Sequence, residues 1–107
     1  MEDDNQLVVP PSFIALFVEP GRIKPNASHA HILQRYDFCE DLATMLVDHA
    51  RTTLWRLGVA EEDVLERVQR GLLTDEAGVT PAEAEWVCRR LAELLQWGLP
   101  PAAPDSR

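Results

Sequence analysis

The chain is short of cysteine, of basic charge and of long apolar runs, and each shortage closes off a class of protein. Cys39 and Cys88 are its two cysteines, far apart and each flanked by residues of a helix interior. The sequence therefore predicts two free thiols in a reducing cytoplasm, not a disulfide framework. Basic residues number 10 against 18 acidic ones, and the formal net charge of −8 repels nucleic acid phosphates and anionic lipid alike. Neither is an expected partner. The longest apolar run, residues 13–18, has six members, against roughly 20 needed to span a bilayer as a helix. The opening Met-Glu-Asp-Asp-Asn inverts the basic start of a secretory signal, so no export is expected. At 107 residues a chain buries about two thirds of the surface it exposes when unfolded, enough for one modest core.

What is present is helical in pattern. Residues 1–28 hold Pro10, Pro11, Pro20, Gly21 and Pro25, which cut them into pieces too short to join one helix. They read as an N-terminal arm. Residues 28–57 contain neither Pro nor Gly, with Ser28 placed to cap a helix and Gly58 to end it in the left-handed conformation. At about 100° per residue Ile32, Tyr36, Cys39, Leu42, Ala43, Leu46, Val47, Ala50, Leu54 and Leu57 share one face, opposite Asp37, Asp41 and Asp48. A second helix is expected over 60–73, opened by Glu61, Glu62 and Asp63, acids that favour the positive end of the helix dipole. Thr80-Pro81-Ala82-Glu83 combines a capping hydroxyl, a first-turn Pro and an acid at the third position, and opens a last helix expected to run to about Trp97 and stop at Gly98. The predicted fold is all-α: one long helix against a two-helix hairpin in a domain of residues 29–99, preceded by the arm and followed by a disordered tail over 100–107.

No pattern of catalytic residues emerges. The stretch Gly21-Arg22-Ile23-Lys24-Pro25 lacks the second Gly and the hydroxyl of a phosphate-binding loop, and Pro25 removes a backbone donor. Cys39 and His49 are ten residues apart on one helix, about 15 Å of rise, too far to pair as nucleophile and base. His29 and His31 point in different directions if helical, and no Cys pair or His-Glu-x-x-His accompanies them. The Glu61-Glu62-Asp63 run lacks the spaced oxygens and Gly of a calcium loop. A helix-turn-helix reader of DNA is disfavoured by a six-residue turn and by Glu83, Glu85 and Glu93 around Arg89 and Arg90. The expectation is no cofactor, no metal and no enzyme.

Surfaces for protein partners are more legible. On the last helix the core stripe is Ala84, Val87, Cys88, Leu91, Leu94 and Leu95, and Trp86 and Trp97 fall about 120 to 140° from its centre. With Arg90 they form either an aromatic anchor for another chain or a face packed against the arm or a neighbouring helix. In the arm, Phe13, Leu16 and Phe17 have i, i+3, i+4 spacing, so a short helix at about 12–18 is expected to dock on an apolar surface, either its own long helix or that of a second subunit. On the long helix Phe38, Leu42, Met45 and His49 widen the apolar arc beyond what two short helices cover, which predicts a homodimer through those residues.

The segments Pro10-Pro11-Ser12-Phe13-Ile14-Ala15-Leu16-Phe17, Pro20-Gly21-Arg22, Lys24-Pro25, Arg35-Tyr36 and Cys39-Glu40-Asp41-Leu42-Ala43 resemble a family of small uncharacterised proteobacterial proteins that sometimes carry an automatic label of chaperone-type ATPase. The resemblance covers the first half of the chain and implies no catalytic residues. The incomplete phosphate loop contradicts literal ATPase activity, while an accessory role beside a chaperone or protease machine agrees with it. The reading is a non-enzymatic cytoplasmic interaction module, an adaptor or regulator. The alternative is a small enzyme or metal-dependent sensor in which His29, His31 or His49 meets acids of another subunit.

Overall fold

A computed structural model describes residues 8–98. The arm forms α1 (Pro11–Ile14), which tightens into a 3-10 turn over Ala15–Phe17. Pro11 occupies the first helical position, where its missing N–H costs nothing, and the Pro10 carbonyl accepts from the Phe13 and Ile14 amides. The long helix α2 (His29–Leu57) is followed by α3 (Glu61–Leu72), a 3-10 turn over Asp75–Ala77, and α4 (Pro81–Leu95). No strand occurs among the described residues. The expected tail over 100–107 lies outside them.

The caps are those that local chemistry demands. Ser28 Oγ accepts from the His31 amide at 3.1 Å, and Gly58 ends α2 at φ 64°, a conformation that costs glycine no side-chain clash. At α4 the capping box is complete: Thr80 Oγ1 accepts from the Glu83 amide, and Glu83 Oε1 accepts from the Thr80 amide. The end of α4 departs from expectation. The helix stops at Leu95, and Gln96, not Gly98, takes the left-handed conformation, at φ 61°. The Trp97 amide bonds the Ala92 carbonyl and the Gln96 amide bonds the Glu93 carbonyl. That pair of bonds is a Schellman closure, which satisfies the last carbonyls and offsets the strain of a side chain in that region.

Two cross-links fix the relative direction of α2 and α4. Arg35 pairs with Glu83 and, further along both helices, Glu40 pairs with Arg90. Partner numbers rise together, so α4 runs parallel to α2, and α3, which connects them, packs against both. The core collects Ile32, Cys39, Ala43 and Ala50 from α2, Val64, Leu65, Val68 and Leu72 from α3, and Ala84, Val87, Leu91 and Leu95 from α4. Along α2 the expected apolar face is unevenly covered. Tyr36, Leu42, Leu46, Val47 and Leu54 are half-buried and Leu57 is exposed.

Both thiols lie in this core. Cys88 Sγ donates to the Leu65 carbonyl. Burial pushes the Cys39 thiol up to about 12 and that of Cys88 up to about 11, so neither is a thiolate near neutrality. A maleimide reagent at pH 8 is expected to label them no faster than the chain unfolds. Rapid labelling of the native protein would contradict this placement.

Candidate interaction surface

The arm occupies a site built by α2 and α4. Phe13 is 0% exposed. Its ring meets Trp86 edge-on at 5.0 Å, Tyr36 at 5.6 Å and Phe17 at 5.6 Å between centroids, and Tyr36 meets Trp86 at 5.8 Å. These tilted and edge-on arrangements suit the ring quadrupoles. The Trp86 indole N–H, which burial would otherwise leave unpaired, donates to Ser12 Oγ at 3.0 Å. Phe17 extends the cluster to His31 at 5.9 Å, and Leu16 and Phe17 are half-buried against the core. The docking surface is thus the protein's own long helix and last helix.

Charge-assisted bonds clamp the same helices. Glu83 is 3% exposed and receives Arg35 in a fork, Nε to Oε2 at 3.0 Å and Nη2 to Oε1 at 2.8 Å. Arg35 Nη2 also donates to the Gly78 carbonyl at 2.7 Å, tying the turn before α4 to α2. Burial pushes the Glu83 carboxyl up, but the hydrogen bonds from Arg35 and the Thr80 amide and the Arg35 charge outweigh it and hold the group below the usual carboxylate range. Two turns further along the same face of α4, Arg90 donates to both oxygens of Glu40 and, through Nη1, to Glu93. A cavity of about 480 Å³ lies beside this pair, between Pro10, Ser12, Tyr36, Trp86 and Arg90.

Of the two readings of the aromatic face, the arm is what meets the Trp86 indole. Trp86 is buried under the arm, Arg90 is engaged by Glu40 and Glu93, and Trp97 lies past the end of α4, half-buried. Phe13, Leu16 and Phe17 face their own chain. None of the six is presented to a partner as a free anchor while the arm is docked. His29 and His49 are exposed and separated along α2. Among the described residues no three His, Cys, Asp or Glu side chains come together as a metal site would require.

Apolar side chains are left in solvent elsewhere: Val8 and Ile23 in the arm, Leu73 after α3, and a group on the outer side of α2. Phe38 is 41% exposed, Met45 72% and Trp55 85%, with Leu42 half-buried and His49 exposed beside them. The Arg35 guanidinium sits over the Phe38 ring at 4.9 Å from its centroid, so the side chain that holds Glu83 also covers the start of this face. Trp55 was absent from the sequence-derived candidates. Its signal is positional: Asp41, Asp48 and Trp55 follow at intervals of seven, which places an indole in line with two acids assigned to water. No helix among the described residues is long and apolar enough to cross a membrane.

Comparison with known proteins finds no matching family model, curated protein or solved structure.

Proposed function

We propose that the chain is a non-enzymatic protein–protein interaction module, an adaptor or regulator of the cytoplasm, whose contact surface is the outer side of α2. The observation that carries this reading is Trp55, 85% exposed on a rigid helix in company with Met45 and Phe38. Exposing an indole costs free energy that burial would recover, about 25 cal/mol per Å² of apolar surface, and Trp is enriched among residues that dominate interfaces. The clamped bundle behind it supplies a preorganised platform, so little ordering entropy is lost on binding. The resemblance of the first half of the chain to proteins labelled as chaperone-type ATPases makes a chaperone or protease machine a suitable setting for such an accessory.

The test is affinity capture from the source cells with the parent chain and with a Met45→Asp/Trp55→Asp variant, both checked for an unchanged helical melt. Bound proteins, further copies of the chain included, are compared by quantitative mass spectrometry. At least one protein should be retained by the parent and depleted at least severalfold by the variant. Identical sets from the two baits would overturn the reading.

A further inference from the structure

The outer side of α2 is lopsided in charge. Its exposed acids, Asp37, Asp41 and Asp48, precede its exposed bases, Arg51 and Arg56. The remaining charges of this stretch, Arg35 and Glu40, are already paired with Glu83 and Arg90. A surface acidic at one end and basic at the other is its own complement when a copy is laid against it head to tail, as the two-fold symmetry of a homodimer requires. Resting on the reading above that this face receives a protein, we infer that its partner is a second copy of the chain, with the two α2 helices packed antiparallel about an axis between Leu46 and Val47.

The register follows from arithmetic on the helix. An axis there sets Phe38 opposite Trp55 of the other copy and Asp37 opposite Arg56, and it brings Arg51 alongside Asp41. Each pair occurs twice, once at either end of a contact about 25 Å long, with Met45 near the middle. The large apolar side chains that α2 leaves in water between Phe38 and Trp55 thus meet one another, and the charges flanking them meet opposites. A parallel pairing would set acids against acids and bases against bases. Asp48 is the one charged side chain that the antiparallel axis brings towards its own copy, so Asp48→Asn should tighten the dimer.

The experiment is light scattering on a sizing column with the full chain at tens of micromolar. The parent should run at twice its 12.0 kDa mass. An Asp37→Arg/Asp41→Arg variant and an Arg51→Glu/Arg56→Glu variant should each associate about tenfold or more weakly, as expected when several exposed pairs are turned into repulsions. Their equimolar mixture should regain the parent's mass, because each then supplies what the other lacks. Orientation is read by cross-linking: Phe38→Cys should form a disulfide with Trp55→Cys in a mixture, and neither with itself. All these positions are exposed, and each variant is checked for an unchanged melt. A monomeric parent, a mixture that stays apart, looser association in Asp48→Asn, or self-cross-linking of Phe38→Cys overturns the inference. A monomeric parent whose face still captures a different protein removes the self-association alone, while loss of both removes the reading beneath it.

Discussion

Truncating Phe13 to alanine is expected to lower the unfolding free energy by about 3 to 5 kcal/mol, the range for deleting a fully buried aromatic ring. The ring is 0% exposed and touches Phe17, Tyr36 and Trp86, so its removal opens a hole where α1, α2 and α4 meet. The loss does not stop at the hole. One α-helical turn followed by a 3-10 turn is far below the length at which a helix persists alone in water. Without Phe13 the arm should detach, and Trp86 would lose the Ser12 hydroxyl as well as a ring partner. Urea unfolding followed by circular dichroism measures the energy, and limited proteolysis within residues 8–27 measures the detachment. A cost below about 1 kcal/mol, or cleavage equally fast in the parent, would mean that the arm contributes little to the fold.

Glu83→Ala should cost about 3 kcal/mol, near the lower end of the range for breaking a buried ion pair, since Arg35 keeps a quarter of its side chain in water. The residue does three things at once: it receives the Arg35 fork, it completes the capping box with Thr80, and through Arg35 it secures the Gly78 carbonyl. The effect should also depend on pH. Because the folded-state pKa of Glu83 is depressed, its contribution is fully present above the unfolded value of about 4.3 and is lost as pH falls through the folded value. Parent and variant should therefore differ most at neutral pH and converge in acid. A gap that stays constant down to pH 3 would show that the carboxylate charge is not what stabilises this junction.

How much of this was legible depends on how far apart the interacting residues are. The caps at Ser28, Gly58 and Thr80 are settled within four residues of chain, and they fall where the sequence places them. The C-terminal end of α4 was misread because glycine is the usual left-handed residue and Gln96 takes that role instead. The role of Glu83 was half legible. Its spacing from Thr80 announces a capping box, but nothing in that motif reveals Arg35, 48 positions away. The arm's helical form can be argued from Phe13, Leu16 and Phe17, whereas for Trp86 the sequence leaves two readings open, a seat under the arm or an anchor for another chain, because helical spacing alone does not bring residues 74 positions apart together. Trp55 is hard to read for the opposite reason: its indole stands among acids and outside the apolar arc, although that isolation is what marks it.

The hydrogen bond from Trp86 to Ser12 spans 74 positions of chain, and it orders events in time. The seat for Phe13 does not exist until α2 and α4 lie side by side. At a synthesis rate of about 5 to 20 residues per second, the interval between making the arm and making Trp86 is about 4 to 15 s. Throughout that interval the most apolar stretch of the sequence has no surface of its own to bury on. The nascent chain thus passes through a stage in which Phe13, Leu16 and Phe17 are offered to whatever holds emerging polypeptides, and the finished helices must take them back.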